Sequence, residues 1–229
     1  MRHIAASAIA IATIASTASA ELVTVFCPGV GAGRNVSVTH KGAVRNVFAG
    51  QILLNLSNSA SGTLNGSWRS FCTELDQYIY VNGAAQTYQA LPLKDVPIPG
   101  APMGIARAEA IGRMYAFANG AQYGTNADYA AAFQIAVWEV ANDYTGDLAS
   151  LSLAAGDLQG PSVAAAIGTH ITTLLAAAGN VGATATPLFG LGNTSFQDQI
   201  IDPTSPIPTP GAIAMLGLAA LVGSRGRRR

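Results

Sequence analysis

From Leu22 to about Tyr80, β-branched and aromatic residues come in short runs broken by Gly, Asn and Ser, the pattern of strands rather than helices. Strands are expected over Leu22–Phe26, Val36–Thr39, Val44–Phe48, Gln51–Leu56, Phe71–Leu75 and Tyr78–Val81, with Asn65-Gly66 and Asn82-Gly83 as turn signals. Prolines between Leu91 and Pro102 interrupt this texture, and the period then changes. Ile105, Ala108, Ile111, Tyr115 and Ala118 share one face of a helix expected over Gly104–Asn119. A second helix is expected over Ala127–Asn142, with Asn126 as N-cap and Tyr129, Phe133, Ala136, Val137 and Val140 on one stripe. A third is expected over Ser162–Ala178, closed by Gly179-Asn180. Leu188–Leu191 and Phe196–Ile201 return to strand character. The expected fold class is α+β: a β-sandwich or barrel-like frame with an inserted helical subdomain.

The two ends follow a different pattern. Arg2 and His3 precede the apolar run Ile4 to Ile14 and the small residues Ala18-Ser19-Ala20, as in a signal peptide that signal peptidase removes before Glu21. At the other end, Ile207-Pro208-Thr209-Pro210-Gly211 leads into thirteen residues, Gly211 to Gly223, and then Arg225, Arg227, Arg228 and Arg229. A spanning helix needs roughly 20 apolar residues, so this run makes a short transmembrane helix whose arginines stay cytoplasmic. The three parts are then a signal peptide over 1–20, one exported domain over 21–202, and a tail over 203–229. The proline motif, short helix and basic end resemble the PEP-CTERM sorting signal of exported bacterial proteins. That resemblance implies an exosortase-type processing enzyme as partner, transient anchoring in the membrane, and delivery to the cell surface or extracellular matrix. An uncut transmembrane anchor is the alternative reading.

Overall neutrality conceals an acidic domain. Between residues 21 and 202, seven Lys/Arg stand against twelve Asp/Glu, leaving −5. Nucleic acid is a poor partner for such a surface. There is no CxxC, no HExxH and no cluster of histidines with carboxylates, so zinc is not expected. Cys27 and Cys72 are the two cysteines, and in an oxidising compartment two cysteines read by default as one disulfide.

A second reading of Cys72 comes from its surroundings. Ser70-Phe71-Cys72-Thr73-Glu74-Leu75-Asp76 and Ala132-Phe133-Gln134-Ile135-Ala136-Val137-Trp138-Glu139 resemble the paired motifs of the thioester domains of bacterial surface adhesins. The resemblance implies that Cys72 and Gln134 condense into an internal thioester, with Phe71, Phe133 and Trp138 forming its pocket. Phe133 stands where the adhesin motif often has Thr. The chemistry needs the thiol and carboxamide in contact and water kept away. An amine of a surface or matrix ligand would then attack the former Gln134 carbonyl. The domain would be a single-use covalent adhesin, not an enzyme, and would need no cofactor. The competing reading keeps a Cys27–Cys72 disulfide in a non-covalent structural component of an extracellular polysaccharide matrix, with Gln134 an ordinary buried polar residue.

Other candidates are Glu74, Asp76 and Glu139 as glycosidase carboxylates, read equally as solvated surface acids. Asn142–Asp147 resembles a calcium loop but has Ala154 where the loop needs Glu. Trp68 reads as core.

Overall fold

The computed structural model describes residues 20–98, 101–118 and 124–207. The expected leader up to residue 19, and the motif Pro208, Thr209 and Pro210 with its apolar run and arginines, lie outside the described residues. The described elements are β1 (Glu21–His40), β2 (Ala43–Ser57), β3 (Gly66–Cys72), β4 (Gln86–Pro92), β5 (Pro97–Ile98), β6 (Ala101–Pro102), α1 (Ile105–Phe117), α2 (Ala127–Asp143), β7 (Leu158–Ser162), α3 (Ala165–Gly179), β8 (Phe189–Gly192) and β9 (Gln199–Ile201). Apart from the small β5–β6 pair, the strands form one seven-stranded antiparallel sheet in the order β2-β3-β9-β8-β4-β1-β7. The chain is therefore an α+β protein.

Two long strands organise this sheet. β1 and β2 are joined at Lys41-Gly42, both with positive φ (49° and 77°), between the paired residues His40 and Ala43. Two left-handed residues in a two-residue loop match the twist of a hairpin. Farther along, the pair Gly33↔Gly50 lets the strands approach closely. A Cβ on Gly33 would meet the Ala49 carbonyl at 2.5 Å, and one on Gly50 the Ala32 carbonyl at 2.5 Å. Register shifts at Phe26/Gly29 and Val30/Gly33 bend β1 here. Its first residues thereby pair with β4 as well as β2, and its last with β7. Since β1 bonds both β2 and β4, the pairing circuit returns on itself.

The sheet separates two cores. Val23, Val25 and Cys27 of β1 join Leu54, Trp68, Tyr88, Leu191 and Ile201 in a cluster made by the strands and their loops. Val36, Val38, Phe71, Cys72 and Ile200 join the helices in the larger cluster. Ile200 and Ile201 divide between the two by strand alternation, whereas Phe71 and Cys72, at the end of β3, both fall in the larger one. Helix α2 lies against β1 and β2 and is covered by α3 and α1, so every residue from Tyr129 to Ala141 is buried. Its start follows the expectation: Asn126 accepts hydrogen bonds from the N–H groups of Asp128 (3.0 Å) and Tyr129 (3.1 Å).

Several expectations are corrected. Tyr78–Val81 is not a strand: Gln197 N–H bonds to Tyr78 O and Asn82 N–H to Cys27 O, outside any ladder. The strand expected over Phe71–Leu75 ends at Cys72, where Thr73 N–H turns to Asp198 O (3.1 Å). Residues Gln86–Pro92 form a strand that was not expected. Helix α3 begins at Ala165, since Leu158–Ser162 pairs with β1. Ile105 is exposed, because α1 packs through Ala110–Tyr115.

Candidate functional site

Strand β3 delivers Cys72 to its own end. Phe71↔Ile200 and Cys72↔Gln199 are its last pairs with β9, and beyond them Cys72 has no strand partner on its other side, because β2–β3 pairing stops at Ser70. Helix α2 supplies that partner from a side chain. The Gln134 carboxamide takes the Cys72 N–H on Oε1 (2.9 Å) and donates its Nε2 to Cys72 O (2.7 Å). It thus imitates the two-bond exchange between antiparallel strand residues. Both residues are fully or almost fully buried, so each bond also spares a buried polar group from going unsatisfied.

This clasp fixes the side chains relative to each other. The Cys72 thiol donates to Gln134 Oε1 at 3.3 Å. With a C=O bond of about 1.2 Å, the carboxamide carbon lies no more than about 4.5 Å from the sulfur. The Cys72 N–H on Oε1 points at the oxygen that would carry negative charge if sulfur added to that carbon. Burial pushes the thiol pKa up to about 12, with the Trp138 side chain and the Cys72 N–H pulling the other way and the charge of Glu74 adding to the rise. Trp138 Nε1 is itself buried and, among the described residues, makes no hydrogen bond of ordinary geometry; the sulfur, whose pKa it lowers, is the acceptor beside it. A thiol raised this far differs from the depressed thiolates of turnover cysteine enzymes.

An aromatic wall stands beside the pair, built from their chain neighbours Phe71 and Phe133. Phe71 and Phe133 lie with ring centroids 4.7 Å apart, and Tyr115 of α1 meets Phe133 edge-on at 4.9 Å. The structure therefore brings together Phe71, Cys72, Phe133, Gln134 and Trp138, the five positions singled out in the sequence, and adds Tyr115. Tyr115 was legible only as a core residue of α1. On the remaining side is a cleft of about 240 Å³, lined by Cys72, Trp138 and residues including Val30, Phe48, Leu75, Tyr78 and Val81.

Cys27 is placed elsewhere. It is a free thiol, as is Cys72, which overturns the expected disulfide. Cys27 lies on β1, and β2 separates β1 from β3. Through the registers Phe26↔Asn55 and Leu54↔Trp68, Cys27 is level with Trp68, four residues from Cys72. That is roughly 13 Å along the strands and 10 Å across them, far beyond the ~7 Å Cα limit of a disulfide. Cys27 Sγ instead faces Gly29 O at 3.5 Å.

The acids do not assemble into a catalytic pair. Glu74 and Glu139 are buried rather than solvated, because each accepts a backbone N–H: Asp198 N at 3.1 Å and Ser152 N at 2.6 Å respectively. Asp76 pairs with Lys41 at 2.7 Å. Asp143 receives the N–H groups of Asp157 and Leu158, and Asp147 that of Ala149, so both acids brace loops. Trp68 is core, its Nε1 donating to Leu64 O. Among the described residues no group of three or more His, Cys, Asp or Glu is arranged to hold a metal ion.

No protein-family model, curated protein or solved structure matches the chain.

Proposed function

We propose that this is an exported cell-surface or matrix protein whose domain attaches covalently to amines through an internal Cys72–Gln134 thioester. The observation that carries the reading is the two-point clasp of the Gln134 amide on the Cys72 peptide, with the thiol 3.3 Å from Oε1 in a fully buried site. Condensation forms a bond from Cys72 Sγ to the Gln134 carboxamide carbon and breaks the bond to Nε2. The thiol hydrogen leaves with that nitrogen as ammonia. Only one such event per chain is possible, so the domain binds once and does not turn over.

The sheet circuit, read as a barrel-like frame carrying a helical subdomain, suits this role by holding β3 and α2 in fixed relation. Delivery would rest on the tail, with a signal peptidase and an exosortase-type enzyme as processing partners. The last described residue, Ile207, donates its N–H to Ser67 O at 2.8 Å. The tail thus departs near the start of β3, about 17 Å along the strand from Cys72, which leaves the reactive end away from the attachment point.

A second reading has an observation of its own. A thiol with its pKa near 12 is poorly nucleophilic, as in an inert buried cysteine, and the clasp then only satisfies hydrogen bonds in a non-covalent matrix component. The intact mass of residues 21–202, exported and purified without reductant, separates the two. A covalent adhesin is lighter than its sequence by one ammonia, loses that deficit in Cys72→Ala and Gln134→Ala, and fills it with methylamine. An unmodified mass that methylamine leaves unchanged would establish the inert site.

A further inference from the structure

Resting on the thioester reading, we propose that the cleft above Cys72 is the access port for the incoming amine, and that it admits aliphatic primary amines with an apolar stem, such as a protein lysine arm, while excluding amines bearing a second charge. Cys72 and Trp138, both buried, are among its lining residues, so the cleft runs from the surface to Cys72. None of its lining residues is charged, although Asp76 lies between two of them, Leu75 and Gln77; its carboxylate is bound by Lys41 instead. The rim is open and mostly apolar: Val30, Tyr78 and Val81 are 44%, 60% and 47% exposed, with the neutral amides of Asn46, Gln77 and Gln197 as its polar members. Apolar side chains held in water beside a buried electrophile favour a ligand that carries methylenes past them. They disfavour one that must desolvate a carboxylate there. Gln77 donates its Nε2 to Thr194 O at 2.9 Å, which leaves its carbonyl oxygen as an acceptor for an amine N–H.

The buried Trp138 Nε1 is a second observation: among the described residues it makes no hydrogen bond of ordinary geometry, yet it lies close enough to the Cys72 thiol to pull its pKa down. Aminolysis joins the amine nitrogen to the Gln134 carbonyl carbon and breaks the carbon–sulfur bond. One amine proton passes to sulfur, leaving an N-alkyl amide on Gln134 and a free Cys72 thiol. Negative charge gathers on sulfur as that bond breaks, and Trp138 is the donor at hand to receive it.

The test uses the exported domain, with the ammonia deficit measured for each sample so that rates are expressed per thioester present. n-Butylamine should add at least about tenfold faster than methylamine or 4-aminobutanoate at equal free-base concentration. Val81→Asp should erase most of that advantage. Equal rates for the three amines, or a preference unchanged by Val81→Asp, would overturn the port while leaving the thioester intact. Where no ammonia deficit is found, the thioester reading fails by itself and the port is judged in Cys27→Ser/Gln134→Ala. There, neutral N-ethylmaleimide should outpace anionic iodoacetate at Cys72 by a margin greater than in free cysteine, and Val81→Asp should shrink that margin. A margin equal to that of free cysteine would sink the port.

Discussion

The two buried cysteines stand in contrasting regions. Around Cys27, among the described residues, strands and loops alone make the core, and its thiol is hydrogen-bonded to the Gly29 carbonyl at 3.5 Å. Around Cys72 a helix has been laid across the sheet, and its thiol meets a carboxamide that is also bonded to the same residue's peptide. Burial raises the pKa of both thiols, so burial cannot be what makes one of them a candidate site. The difference is the acyl group: α2 supplies a carboxamide at Cys72, and among the described residues Cys27 Sγ is hydrogen-bonded to a backbone carbonyl instead. A cysteine becomes a site here through what is held against it.

The strongest way to break that comparison is to remove the acyl group. Gln134→Ala should abolish amine labelling and the ammonia deficit completely, turning Cys72 into a second Cys27; intact mass and labelling by a tagged alkylamine read this directly. Retained labelling would show that some other residue supplies the electrophile. Next in size is the aromatic wall. Phe133→Ala removes a ring packed on Phe71 and Tyr115 and should cost about 3–5 kcal/mol, measured by urea denaturation. If the proposed thioester forms, opening this packing should also speed its loss to hydrolysis in the variant relative to the parent.

How far the contrast was legible in the sequence depends on how local each signal is. Helix α2 and its cap at Asn126 are written within a few residues of each other, and so was the pairing of Phe133 with Gln134 and Trp138 on one helix. The β4 strand was legible in principle, since Tyr88 and Ala90 are buried while Thr87 and Gln89 are exposed, a clean period of two. Tyr78–Val81 has strand composition without a strand, because a strand exists only where a ladder partner is free, and here the backbone bonds go to Gln197 and Cys27. Contact between Cys72 and Gln134 was expected from the motif resemblance, but the two-bond clasp on the Cys72 peptide was not legible. It depends on β2 leaving β3 at Ser70, two residues before Cys72, which no local pattern encodes. The cleft is built from five separate segments, represented by Val30, Phe48, Leu75, Trp138 and Gln197, and the burial of Glu74 and Glu139 depends on distant N–H groups.

A third prediction sharpens the comparison by pH, since each region holds one strongly shifted acid. Burial lifts Glu139, on α2, and Asp198, beside Tyr88 in the strand region, to about 7 from ordinary values of 4.5 and 3.8. A raised folded pKa means the folded state holds its proton longer. The contribution to stability is therefore complete below the unfolded value and lost as pH rises through about 7. Stability should fall between pH 4 and 7 by about 3 kcal/mol for Glu139 and about 4 kcal/mol for Asp198, and level off above. Glu139→Gln and Asp198→Asn should each remove their share of that slope, in chemical denaturation followed across this range. An unchanged slope in Glu139→Gln would mean that the carboxylate is hydrated in solution despite its burial.

The smallest effect belongs to Cys27. Cys27→Ala deletes a sulfur from the strand-lined core, where it packs among Val25, Tyr88 and their neighbours. The substitution should cost about 1 kcal/mol, in line with an ordinary core truncation of one heavy atom. The ammonia deficit and the amine rates should stay as in the parent, since no acyl group is held at that sulfur and it lies two strands from Cys72. A single preparation tests both regions, with denaturation reporting on the strand core and mass on the helical one. Loss of the deficit in Cys27→Ala with stability preserved would mean that the two thiols communicate, and the contrast between an inert and a reactive cysteine would have to give way to one coupled pair.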